Sequence, residues 1–202
     1  MSIKAVVFDV GGVLKSETSE DVHRDIMETL GINEEQHNNA AQTLVPLLQR
    51  GEITEPEFWK RFVTQINPPR PLPAQSLWVR EFEQPYYVFE DVFEIVETLK
   101  GRGLKVAVLS NTIEPHAKIN RDKGLYDSFA EVVLSNEVGL AKPDRAIYQL
   151  MLERLHEPPE AVVFIDDRAE NVSAAIAAGI HGIRFKSAAQ LRKDLRALGL
   201  DI

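Results

Sequence analysis

Five short, almost wholly apolar runs recur along the chain as KAVVFDV, LKVAVLSN, AEVVLSN, AVVFIDD and HGIRF, with segments of helical spacing and glycine stops between them. Runs of Val, Ile and Leu without polar alternation read as strands buried on both faces. Strands of that kind alternating with helices build a parallel sheet, because each crossover lays a helix against a face. The expected fold class is therefore α/β, a Rossmann-like parallel sheet sandwiched by helices. SAAQLRKDLRALG closes the pattern as a terminal helix with a solvated basic face.

The alternation stops between about Ser16 and Tyr87, where helical patterns occur without a convincing strand. This segment reads as a small inserted α-helical module, residues 16–87, within a core of residues 1–15 and 88–202. Thr54 followed three residues later by Glu57 forms a capping-box signature ahead of EFWKRFVTQI, whose Phe58, Phe62 and Ile66 share one helical face. NPPRPLP then ends the helical pattern. An insertion directly after the first strand lies at the carboxyl edge of the sheet, where such folds bind ligands, so it is placed to act as a lid.

A chain of 202 residues has room for one large domain or a core with a small insert, and 44% apolar with 27% charged residues is ordinary globular composition. A formal charge of −8 argues against broad nucleic-acid or anionic-membrane binding, which needs a basic surface. Cysteine is absent, which excludes disulfides, zinc thiolate clusters and thiol nucleophiles together. IKAVVFDV is too short, and interrupted too early by Asp9, for a signal peptide or membrane span, so a cytoplasmic protein with no membrane partner is expected. Neither GxGxxG nor GxxxxGK[ST] occurs, Ser110 lacks a GxSxG setting, and the histidines lack HExxH spacing. His116 and His181 read as surface or packing residues.

Three of the apolar runs end in polar residues: Asp9 after AVVF, Ser110 and Asn111 after VAVL, Asp166 and Asp167 after VVFI. In a parallel sheet these ends share one edge, so they converge on one crevice. Carboxylates without His or Cys partners suit a hard cation such as Mg²⁺, which keeps substrate phosphate and water in its shell. A small phosphorylated metabolite is the implied ligand. Lys142 of GLAKPDRAIY brings a positive charge to the same edge if Pro143 opens a helix.

In their order along the chain, FDVGGVL, LSNT, the Lys142 of AKPD and FIDDRAEN make the sequence resemble the haloacid dehalogenase-like hydrolase superfamily, with the insertion where that superfamily carries a C1-type cap. GEITEPEF, LSNT and KPDRAIY are similar in style to glucose 1-phosphate phosphatase-like members and to the N-terminal phosphatase domain of soluble epoxide hydrolase. The resemblance implies an Mg²⁺-dependent hydrolase of a small phosphomonoester, such as a sugar phosphate. In it Asp9 is the nucleophile and forms an aspartyl-phosphate. Asp9, Asp167 and the Gly11 carbonyl hold the metal, while Lys142 and Ser110 orient the phosphoryl oxygens and Asn111 and Thr112 supply further donors. Asp166 and Asn171 support the metal shell or orient Lys142.

One position departs from the pattern. Phosphatases of the superfamily commonly carry a second Asp two residues after the nucleophile as general acid, and here that position is Gly11. A metal contact through the main-chain carbonyl survives the change; proton donation from the side chain does not. Lys15, Glu17, a metal-bound water or a substrate hydroxyl are the available substitutes. Two other readings follow from the same residue: a metal- and phosphate-binding protein with weak or no turnover, or a haloacid dehalogenase, whose members also lack this Asp but use no Mg²⁺.

Overall fold

The structure is a computed structural model and describes residues 2–16, 19–80 and 87–202. Each apolar run is a strand: β1 (Ala5–Phe8), β2 (Lys105–Ser110), β3 (Glu131–Leu134), β4 (Val162–Asp166) and β5 (His181–Arg184). They form one parallel sheet in the order β3-β2-β1-β4-β5. The first strand is thus the central one, paired through Phe8 with Val108 on one side and Ile165 on the other.

Strand geometry sends successive side chains to opposite faces, and because the central strands β2, β1 and β4 carry consecutive apolar residues through their middles, two cores result. Val6, Phe8, Val106, Val108, Val163 and Ile165 pack with α4 (Glu90–Gly101) and α9 (Ala188–Ala197). Ala5, Val7, Ala107, Leu109, Val162 and Phe164 pack with α7 (Arg145–Leu155) and α8 (Ala169–Ala177). Each such fully buried Val, Leu or Ile stabilises the fold by roughly 1.5–3 kcal/mol relative to exposure.

The insertion carries α1 (Ser19–Leu30), α2 (Glu34–Gln49) and α3 (Glu55–Ile66) around a third core of its own. Phe58 and Phe62 are buried in it, with Trp59 and Trp78, whereas Ile66 only packs against its edge. Half of the expected capping box forms: Thr54 Oγ1 accepts from the Glu57 N–H at 3.5 Å, but the Glu57 carboxylate turns to Arg61 at 2.7 Å instead of reaching back. The reciprocal box stands at α2, where Asn33 and Gln36 exchange bonds of 2.9 and 3.1 Å.

The chain leaves and re-enters the core side by side. Ser16 N–H donates to the Tyr87 carbonyl at 3.0 Å and Phe89 N–H to the Leu14 carbonyl at 2.9 Å. Three further features seat the insertion on the core. Arg50 pairs with Asp144 at 3.0 Å. Gly51, with φ 66°, lies where a Cβ would collide with the Asn136 carbonyl of the short helix α6 (Ser135–Val138). Ile113, from the loop between β2 and α5 (Glu114–Asp122), belongs to the insertion's own apolar cluster. Among the described residues no helix is long and apolar enough to cross a membrane.

Candidate active site

The end of β1 delivers Asp9 between its neighbours, where its N–H donates to the Ile165 carbonyl at 2.9 Å. Lys142 Nζ lies 2.7 Å from Asp9 Oδ1 and 2.7 Å from Asp166 Oδ2, with its side chain 1% exposed. Asp166 is fully buried and also receives Asn171 Nδ2 at 3.1 and 3.0 Å and the Arg168 N–H at 2.8 Å. Its acceptors are therefore spent on protein donors. Asn111 holds the backbone of Lys142 from both ends, accepting its N–H at 2.8 Å and donating to its carbonyl at 2.7 Å. Ser135 Oγ accepts the Thr112 N–H at 2.9 Å and so fixes the loop after β2.

The Lys142–Pro143 peptide is cis, and α7 begins at Arg145 with Asp144 as N-cap. The expected helix start at Pro143 is thus two residues early, because the Asn111 clamp holds the preceding segment in a loop of its own. Lys142 reaches the edge all the same.

Burial is the largest influence on Asp9 and raises its carboxyl from 3.8 to about 6; Lys142 pulls it down and Asp166 pushes it up again. For Lys142, burial alone would lower the ammonium's pKa, but the charges of Asp9 and Asp166 outweigh it and leave the pKa raised. A buried network of this kind is costly to break, since loss of one partner strands a charge at roughly 3–5 kcal/mol.

Above these groups lies a cavity of about 200 Å³ between sheet edge and insertion. It brings together Asp9, Gly11, Ser110, Asn111, Thr112, Lys142, Asp167 and Asn171 from the sequence reading, while Asp166 sits behind Lys142, out of the cavity. Lys15, buried, lines it too; Glu17 lies outside the described residues. His116, read from sequence as surface or packing, also lines the cavity, as do His23 and Trp78. His181 is exposed and bonds the Glu160 carbonyl at 3.1 Å. No periodicity marks His23, His116 and Trp78 as cavity residues, because the wall they make exists only where the insertion meets the core.

The donor set fits a hard divalent ion. One carboxylate oxygen each from Asp9, Asp166 and Asp167 lies within 4.8 Å of the others. Asp166 is occupied by Lys142 and Asn171, which leaves Asp9 and Asp167 as the carboxylates able to reach a metal. The turn between them is shaped for it: Gly12 has φ 72°, and a Cβ there would sit 2.6 Å from Asp167 Oδ2. Only a residue without a side chain lets the first turn approach Asp167 so closely.

A parallel sheet with β1 at its centre, an acid–lysine network at its carboxyl edge and a helical insertion above define a capped α/β hydrolase core. The chain matches the haloacid dehalogenase-like hydrolases over residues 3–179, and it belongs to that family. It is 28% identical over 216 residues to acyl-CoA dehydrogenase family member 10 of Mus musculus, covering 98% of this chain and 19% of that protein; it thus spans about a fifth of the mouse protein's length. It is 29% identical over 212 residues to a phosphatase of Mycobacterium tuberculosis, covering 98% of this chain and 96% of that protein. Among solved structures, a family enzyme of Bacteroides thetaiotaomicron in complex with magnesium and inorganic phosphate superposes with a TM-score of 0.78 at 21% identity, covering 94% of this chain and 99% of that one.

Proposed function

We propose that the protein is an Mg²⁺-dependent phosphatase of a small phosphomonoester, working through an aspartyl-phosphate on Asp9. The observation that carries this reading is the pairing of Asp9 with a buried Lys142 that is itself anchored on Asp166. Such a lysine offers positive charge to a phosphoryl group at no cost of reorganisation. The phosphatase of Mycobacterium tuberculosis, matched over nearly its whole length, and the magnesium and phosphate held by the Bacteroides enzyme support the same chemistry.

In this reading the ion pair with Lys142 fixes the rotation of the Asp9 carboxylate, so that one oxygen is presented to phosphorus. Ser110 and the backbone N–H of Asn111 receive the phosphoryl oxygens, while the Thr112 N–H, given to Ser135 Oγ, holds the loop that presents them. The Asn111 side chain is committed to Lys142, so its part is to position that lysine, as Asp166 and Asn171 position its ammonium. Asp9, Asp167 and the Gly11 carbonyl would hold the metal, which when bound neutralises phosphoryl charge and shields the approach of one anion to another. Residues 16–87 form the cap and residues 1–15 with 88–202 the core. A cavity of about 200 Å³ lies below the ~300–1,000 Å³ of sites for drug-sized ligands, which suits a short sugar phosphate. The weak-turnover and dehalogenase alternatives separate in one assay. A phosphatase releases phosphate only with Mg²⁺, a dehalogenase releases halide without it, and a binding protein does neither.

Asp9→Asn tests the nucleophile. Phosphate release should fall on the order of 10³-fold or more in a protein of unchanged circular dichroism. Substantial residual activity in the folded variant would exclude the covalent route.

A further inference from the structure

We infer that His116 is the proton donor to the leaving group, the role for which residue 11 has no side chain. The inference rests on the phosphatase reading above. His116 lies in the first turn of α5, in the same segment as Ser110 and Thr112, and lines the cavity that contains Asp9. Its Nε2 lies 2.7 Å from the Trp78 carbonyl. A carbonyl only accepts, so Nε2 carries hydrogen in both charge states, and Nδ1 is the nitrogen that gains and loses the proton. The ring is thereby held by the cap while its backbone belongs to the core, so its orientation is set only when the two are together.

Among the described residues, the charged and titratable groups that share the cavity are Asp9, Lys15, His23, Lys142, Asp167 and Arg168, and Glu114 precedes His116 on its own helix. Asp9, Asp167 and Lys142 are committed to nucleophile, metal and phosphoryl group, and an arginine does not release a proton. Imidazole is the side chain whose ordinary range spans neutral pH. Of the two cavity histidines, His23 belongs to α1 of the insertion and its ring lies 4.8 Å from that of His37. His116 is the one joined directly to the loop that receives the phosphoryl group.

The steps balance. Asp9 attacks phosphorus, the bond from phosphorus to the leaving oxygen breaks, and that oxygen takes the Nδ1 proton of the His116 imidazolium. Neutral His116 then accepts a proton from water as the water oxygen attacks the aspartyl-phosphate. Phosphate leaves, Asp9 is regenerated and the imidazolium is restored.

The test compares first-step rates for p-nitrophenyl phosphate and n-butyl phosphate with Mg²⁺. An aryl oxide needs little protonation on departure and an alkoxide needs much, so in His116→Asn the ratio of aryl to alkyl rates should widen by roughly 10²–10⁴-fold. His116→Gln should do the same, and serves if the first variant folds poorly. In the unaltered protein, n-butyl phosphate turnover should fall as pH rises through the His116 pKa measured by NMR, while the aryl burst shows no such limb. An unchanged ratio, a limb displaced from that pKa, or a widened ratio in His23→Asn instead would overturn the assignment. Absence of both phosphate release and a p-nitrophenol burst in the unaltered protein would instead overturn the phosphatase reading, and with it this inference.

Discussion

Gly11 and Gly12 are adjacent and chemically identical, yet the fold asks different things of them. Gly12 takes a left-handed backbone against Asp167 and Gly11 does not. Gly12→Ala should therefore lose about 1–2 kcal/mol from its φ alone and weaken Mg²⁺ binding by displacing Asp167, measurable by melting and by metal titration. Gly11→Asp meets no such backbone demand. With His116 supplying the proton it should bring little gain by itself, but in a His116→Asn background it should restore alkyl phosphate turnover. Asp9 couples the stability of the fold to pH. Its carboxyl, raised by burial from 3.8 to about 6, binds its proton more tightly in the folded state than in the unfolded one. This stabilising contribution is complete below about pH 3.8 and is lost as pH rises through about 6, up to about 3 kcal/mol for a shift of this size. In metal-free protein the stability difference between Asp9→Asn and the unaltered chain should accordingly move in the variant's favour as pH rises from about 4 through about 6 to about 8, whatever fixed cost the lost Lys142 contact adds, read from denaturant midpoints.

At the scale of elements, the strands were legible because each is a continuous apolar run, and their polar ends followed from parallel topology alone. Asp9, Ser110, Asp167 and Lys142 could be placed at one edge without coordinates. The joint between modules could not. Ile113 looks like an ordinary loop residue in sequence, yet it is 4% exposed and fills the cap's core; His116 and Trp78 meet only across that joint. Contacts between modules leave no period in either segment. The half-formed Thr54 box shows a related limit, since Arg61 competes for Glu57 one turn further on. Ile113→Ala should cost roughly 2–5 kcal/mol as a buried large-to-small change, and should loosen the cap on the core. Its signature is a rise in KM with protease cleavage in the cap, at a far-UV spectrum that does not change.

For the molecule as a whole, the three apolar clusters divide as the proposed domains do. Neither sheet-facing cluster includes a residue from 19–80, and among the described residues the cap cluster takes only Ile113 from the core. Replacing residues 20–85 by a short Gly–Ser linker should thus leave a folded, monodisperse sheet with altered substrate choice; failure to obtain soluble protein would show that the segment is part of the core. The central position of β1 carries a consequence for synthesis on the ribosome. Ala5–Phe8 is made before both of its neighbours, so its edges await β2 and β4, and the β4 partner of Phe8 is Ile165. The cap, whose described apolar cluster draws only Ile113 from the core, is free to compact in the meantime. A chain that stops before Val162 therefore carries Asp9 without Asp166, which anchors Lys142, and without Asp167. On the phosphatase reading, such incomplete products should release no phosphate, and activity should appear only once β4 has docked.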